Sequence, residues 1–158
     1  MLKIYHIQEK QVFLKEVATL TQKEWGQKNL TEEEFNRKIE KKINIIKSNF
    51  NNPNYCKLLL IDEQGNTSTL IGFISIFEHD GDDKLDLSPW YATMFVKEDY
   101  RGFGYSKLLN DAILKEAKNR GFSRLYLKTD LINYYEKFGA CYIEDLKNGE
   151  KLYYFDLL

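Results

Sequence analysis

Apolar positions along the chain switch between two periods, and the switches mark the elements. Leu2 to Ile7 alternate polar and apolar and read as a strand, after which Val12, Phe13, Val17 and Leu20 fall near one face at helical spacing. This predicts a first helix ending near Trp25-Gly26. Thr31 followed by Glu34 is a capping-box signature, and Phe35, Ile39, Ile43, Ile46 and Phe50 then recur at helical intervals, so a second helix should run to about Phe50. Asn51-Asn52-Pro53-Asn54 breaks it. Lys57 to Ile61 and Thr69 to Phe77 flank Glu63-Gln64-Gly65-Asn66, which reads as an antiparallel hairpin. The second hairpin strand is apolar on both faces: Leu70, Ile74 and Ile76 alternate with Ile71, Phe73 and Phe77, as expected of a central strand covered by helices on both sides.

An acidic stretch from Glu78 to Asp86 and Pro89 precede a strand-like run, Tyr91 to Val96. After Arg101-Gly102-Phe103-Gly104, the positions Tyr105, Leu108, Leu109, Ala112, Ile113 and Ala117 mark a third helix, closed by Lys118, Arg120 and Gly121. Arg124 to Lys128 reads as a strand, Leu131 to Phe138 as a short helix ending at Gly139, and Cys141 to Glu144 with Leu152 to Leu157 as a last hairpin around Asn148-Gly149. No repeat, linker or low-complexity tract divides the chain, so residues 1–158 are expected to form a single α/β domain.

Composition narrows the partners. With 158 residues, 43% of them hydrophobic and 30% charged, the chain should bury one core, and disorder is excluded. Twenty-three Lys plus Arg against 24 Asp plus Glu leave a net charge of -1, which argues against duplex nucleic acid as a partner. Cys56 and Cys141 lie far apart and in no CxxC pair, so neither a disulfide framework nor a structural zinc site is expected, and a reduced, cytoplasmic setting fits. Met1 to Ile7 lacks the basic run and apolar core of a secretory leader, and no uninterrupted apolar run reaches membrane-spanning length, so no membrane partner is expected either. A homodimer is left open.

The strand ending at Val96, the short loop with Gly102 and Gly104, and the long helix after it form an arrangement that aims unpaired backbone N–H groups and the positive helix end at an anion, most naturally a phosphate. The first helical turn holds Lys107 and no carboxylate, which opposes the helix dipole by roughly 0.3 to 1 kcal/mol unless a bound anion offsets it. On the glycines alone, a tight strand-to-helix connection explains the turn equally well. A Walker loop would need Gly-Lys-Ser/Thr where this chain has Gly104-Tyr105-Ser106. A dinucleotide fold would need a third glycine and most of its parallel sheet afterwards, whereas only about 55 residues remain, ending in an apparent hairpin.

The segment Val96-Lys97-Glu98-Asp99-Tyr100-Arg101-Gly102-Phe103-Gly104-Tyr105-Ser106-Lys107-Leu108-Leu109 resembles the acetyl-CoA-binding motif of the GNAT family of N-acetyltransferases, Arg/Gln-x-x-Gly-x-Gly/Ala. Arg101 and Gly104 match it; Ser106 stands at the usual final Gly or Ala, and Glu98 at a frequent Pro. Tyr134-Tyr135-Glu136-Lys137-Phe138-Gly139-Ala140 resembles the family's Phe-Tyr-Glu-Lys-Leu-Gly-Phe signature at the expected distance downstream. His79-Asp80 and Leu87-Ser88-Pro89-Trp90 are similar to a bacterial subgroup with a His-Asp pair and Thr-Pro-Trp before the same strand. Many relatives place an Asn before the last helix, where this chain has Lys128-Thr129-Asp130.

The resemblance implies a three-layer α/β fold, a mixed sheet of six or seven strands flanked by helices, with acetyl-CoA as cosubstrate and no metal. It implies that the backbone from Gly102 through Phe103, Gly104 and Tyr105 to Ser106 cradles the pyrophosphate beside Arg101, and that the acyl arm lies along Met94, Phe95 and Val96, where a backbone N–H polarises the thioester carbonyl. Direct attack by a primary amine of a small molecule or peptide then requires a base and an acid. Tyr135 matches the family tyrosine near the CoA sulfur and is the candidate acid. Glu78, with His79 and Asp80 beside it, is the candidate base; Asp80, Trp90 and Trp25 are candidate acceptor contacts. The concentration of Glu78, Asp80, Asp82, Asp83 and Asp86 before the acyl strand leads us to expect a cationic acceptor. A non-catalytic acyl-CoA-binding regulatory domain and a nucleotide-binding or redox domain built on the same glycines are the competing readings.

Overall fold

In the computed structural model, which describes residues 1–158, the helix boundaries follow local chemistry. Helix α1 spans Leu14–Trp25 and α2 spans Glu32–Ser48. The start of α2 is fixed by Thr31, whose hydroxyl accepts from the Glu34 amide at 3.1 Å, with Glu32, Glu33 and Glu34 gathered at the positive end of the helix. Val12, expected on the buried face of α1, precedes the helix in a 3-10 turn and is exposed. The strands are β1 (Leu2–His6), β2 (Cys56–Gln64), β3 (Thr67–Phe77), β4 (Trp90–Val96), β5 (Arg124–Thr129), β6 (Cys141–Asp145) and β7 (Lys151–Asp156), with helix α3 (Tyr105–Asn119) between β4 and β5.

The strands form one seven-stranded sheet in the order β1-β2-β3-β4-β5-β7-β6. Every neighbouring pair is antiparallel except β4 and β5. One face buries Ile7, Val17, Ile46, Leu59, Leu70 and Phe73 under α1 and α2; the other buries Ile71, Ile74, Tyr91, Leu109, Ile113 and Phe155 under α3. This is a three-layer mixed sheet, and β3 is covered on both sides as its composition predicts. Its alternation is not regular, however. Opposite Leu60/Ile61 the register with β2 shifts, so Leu70 shares its face with Phe73 while Ile74 and Ile76 join Ile71 on the other. A straight count of odd and even positions therefore misplaces both Leu70 and Ile71.

At Gly72 the chains of β3 and β4 come so close that a Cβ would stand 2.3 Å from the Phe95 carbonyl oxygen, so only glycine fits. The last predicted helix is largely absent: only Tyr135–Phe138 coils, as a 3-10 turn. Thr129 Oγ1 accepts from the Leu131 amide at 3.1 Å, and Asn133 takes a left-handed φ of 57°, which together keep the stretch after β5 out of an α-helix. Both cysteines are free thiols. No helix is long and apolar enough to cross a membrane.

Candidate active site

Strands β4 and β5 run parallel, yet only Trp90 and Tyr126 are in register, where the Tyr126 amide donates to the Pro89 carbonyl at 3.0 Å. Beyond that pair they part. The cause lies in β4, which carries an extra residue relative to β3 between Ala92 and Phe95, with Thr93 at a φ of 49° that β-branched residues rarely adopt. This bulge turns the rest of β4 away from β5 and opens a cleft of about 760 Å³, walled by Ala92, Thr93 and Met94 on one side and Leu127, Lys128 and Thr129 on the other. Past Tyr91, the cleft-facing backbone of β4 has no strand partner. Met94 lines the cleft directly. The Phe95 ring stacks on Phe73 at 5.4 Å and the Val96 side chain is buried on the α3 side, so these two offer a ligand only their backbone.

At the C-terminal end of β4 the chain turns into α3. Arg101 donates from Nε to the Val96 carbonyl at 2.9 Å and lies 5.8 Å from the Phe95 ring, which anchors the turn to the strand. Gly102 and Gly104 take φ values of 85° and 82°, left-handed conformations that cost an L-residue roughly 1 to 2 kcal/mol, and neither would meet a protein atom if given a Cβ. The space beside them is open. The amides of Gly102, Phe103, Gly104, Tyr105 and Ser106 donate to no protein group. Phe103 is exposed, its ring 6.0 Å from that of Tyr105, and Lys107 is paired with Asp111 at 2.7 Å. The loop thus presents a run of free donors at a positive helix end.

Tyr135 reaches the same cleft from the 3-10 turn after β5. Its ring is wedged edge-on between Tyr91 and Tyr134, with centroids 5.7 and 4.8 Å away, and its hydroxyl makes no hydrogen bond within the protein. Burial, with a smaller push from Tyr134, raises the phenol to about 12, so it remains an O–H donor across the neutral range. Tyr91, by contrast, gives its hydroxyl to buried Asn110 at 2.8 Å and is structural.

A second cavity, of about 460 Å³, lies between the sheet and helices α1 and α2. Trp25 and Thr93 line both spaces, so the two meet at the β4 bulge. Trp25 is half exposed and packs edge-on against Phe95 at 6.3 Å. Glu78 and His79 line this cavity; Glu78 accepts from Asn52 Nδ2 and Asn54 Nδ2, each at 3.3 Å. Asp80 falls instead on the cleft, where burial raises its carboxyl and Lys128 partly opposes that. Trp90 does not wall either space: it is 1% exposed, donates to the Leu87 carbonyl at 2.9 Å and packs on Tyr126. The acidic stretch is partly neutralised, since Asp83 pairs with Lys128 at 2.9 Å. Lys57 and Ser75, buried under the second cavity, are residues that sequence pattern did not single out, although a lysine and a serine facing each other across two otherwise apolar strands were a signal. His6, Cys56 and Glu116 form a cluster of metal-ligating types, but none lines either space, and His6 Nε2 is engaged by Glu116 at 2.6 Å.

The family model of the acetyltransferase (GNAT) family matches residues 14–140. The fold is that of several solved structures. An acetyltransferase of the GNAT family from Staphylococcus aureus Mu50 is 20% identical, each chain covering 100% of the other, with a TM-score of 0.66. The structure of yncA from Salmonella typhimurium with its cofactor acetyl-CoA is 12% identical over 100% of this chain and 95% of that one, with a TM-score of 0.70. An aminoglycoside 6'-N-acetyltransferase complexed with coenzyme A is 15% identical over 100% of this chain and 97% of that one, with a TM-score of 0.69. No curated protein matches the chain.

Proposed function

The chain belongs to the acetyltransferase (GNAT) family, and on that premise we propose that it transfers acetyl from acetyl-CoA to a primary amine of a small molecule by direct attack, in a cytoplasmic setting consistent with its free thiols. The observation that carries the reading is the cleft opened by the β4 bulge, lined by Met94 and by Tyr135, on a strand whose C-terminal turn presents five loop amides with no protein acceptor. The amides of Gly102 through Ser106, with the α3 N-terminus behind them, hold the pyrophosphate, and Arg101 fixes the turn that aims them. The thioester supplies the activated acyl group. An amide of the unpaired Met94–Val96 edge donates to the carbonyl oxygen as charge develops there.

Acceptors reach the site mostly as ammonium ions. Glu78 takes the proton, directly or through water, so that the nitrogen forms its bond to the carbonyl carbon as the carbon–sulfur bond breaks. Tyr135 gives a hydrogen bond to the departing sulfur. With the phenol at about 12 and a thiol near 8.5, complete proton transfer is uphill, so the hydroxyl stabilises the thiolate by donation. Asp80 and Trp25 border the acceptor approach. The Tyr135 hydroxyl, open to the cleft and without a protein partner, is available to a departing group, which favours the enzyme over a non-catalytic acyl-CoA binder. Calorimetry with acetyl-CoA followed by CoA release against an amine panel tests the assignment; absence of acetyl-CoA binding by the folded protein refutes it.

A further inference from the structure

The cavity beneath α1 and α2 contains a cation that acetyl transfer alone does not require. Lys57, near the start of β2, is 3% exposed and lines this cavity. Its Nζ donates to Ser75 Oγ at 2.5 Å and lies 3.5 Å from Thr93 Oγ1, while the two hydroxyls are 2.7 Å apart. The rings of Phe73 and Phe77 stand 5.3 and 5.4 Å from it. No carboxylate pairs with Lys57, and none pairs with Lys42, a second lysine that enters the same cavity from α2. The other titratable groups around it are Tyr55, Cys56, His79 and Glu78, and the one acid among them is held by Asn52 and Asn54.

A buried ammonium with only hydroxyls and aromatic faces around it is either neutral much of the time or completed by an anion from outside. Burial, and to a smaller degree Lys42, bring it down to about 7, so an arriving anion would draw a proton onto it. Thr93 belongs to both spaces, which sets the lysine one side chain away from the acyl cleft. We propose that Lys57 is the anion anchor of the acceptor site, and that the physiological acceptor is an amine that also carries a carboxylate, as amino acids do. This rests on the acetyl-transfer reading. A single buried cation matches a singly charged carboxylate, and the Trp25, Ile45, Ile46 and Phe77 side chains offer the acceptor's remainder apolar walls. The anchor replaces the expectation of a purely cationic acceptor: the acidic groups meet the acceptor's ammonium, and Lys57 its carboxylate.

The test uses matched acceptors, phenylalanine with phenethylamine and lysine with cadaverine, and compares kcat/KM by CoA release. The carboxylate member should be preferred about 10- to 100-fold, the range of a hydrogen bond to a charged group, and in Lys57→Met and Lys57→Gln that ratio should collapse toward one. A wild-type ratio near one, or a ratio that survives both substitutions, overturns the proposal. Aminoethylphosphonate preferred over β-alanine overturns the carboxylate assignment. Independently of turnover, the ¹³Cε resonance of Lys57 at about pH 8 should move toward its protonated position with N-acetylphenylalanine and N-acetyllysine, because the bound carboxylate holds the proton on. An unmoved resonance with both overturns it as well. Acetyl-CoA calorimetry separates the failures: binding with no carboxylate preference defeats the anchor alone, and no binding defeats the acetyl-transfer reading beneath it.

Discussion

Replacing Lys57 by Met should stabilise the fold, and by an amount that depends on pH in a defined way. In the folded chain the amine is held at about 7, against 10.5 when free. Below about pH 7 the ammonium is charged in both states, and folding bears the whole gap, about 4 to 5 kcal/mol at 1.36 kcal/mol per pKa unit. Between the two values the unfolded chain binds the extra proton, so wild-type stability climbs with pH relative to the variant, and at about pH 9.5 the remaining penalty is only about 1 kcal/mol. The variant forfeits the Ser75 hydrogen bond, about 1 kcal/mol, but leaves no orphan, because Ser75 and Thr93 keep each other at 2.7 Å. Lys57→Met should therefore exceed wild type by about 3 to 4 kcal/mol at about pH 6.5 and match it within about 1 kcal/mol at about pH 9.5. Urea unfolding of both proteins across that range measures it. A difference that does not change with pH would refute the reasoning, as would a variant less stable at low pH.

Tyr135→Phe should lower kcat about ten- to a thousand-fold while acetyl-CoA affinity, read by calorimetry, changes little, because the hydroxyl acts on the departing sulfur. Gly104→Val should abolish acetyl-CoA binding in a protein that still folds, with a stability loss of about 1 to 2 kcal/mol from forcing a side chain into the left-handed region; undiminished affinity would remove the loop from the site. Gly72→Ala should destabilise by about 1 to 3 kcal/mol, seen as a lowered Tm, since its Cβ would press on the Phe95 carbonyl oxygen.

Much of this architecture was legible because it is local. Thr31, the Asn-rich break before β2 and the glycines before α3 act through neighbouring backbone, and each sits where pattern put it. The glycine turn into α3 was legible for the same reason, a strand, two glycines and a helix in succession. What pattern missed is set by pairing across the sheet. The order β5-β7-β6 and the shift opposite Leu60/Ile61 leave no periodic trace in one strand, so Leu70 and Ile71 were assigned to the wrong faces. Lys57 looked like a strand terminus because its burial comes from α1 and α2, and its partner Ser75 lies on another strand. Trp90 was expected at the pocket because an aromatic beside an active strand fits either role; the Leu87 carbonyl and Tyr126 draw it into packing. Asn133 ended a helix that its flanking apolar spacing favoured.

The parting of β4 and β5 also fixes the order in which the site is made during synthesis. Because β5 leaves its neighbour after one registered pair, its only continuous ladder is with β7, from Arg124 opposite Asp156 to Thr129 opposite Lys151. The ribosome delivers β7 after both walls of the cleft and after the tyrosine that faces it. Until β7 emerges, the nascent chain has the glycine loop and β4 but no hydrogen-bonded far wall, so the cleft is complete only as β7 inserts.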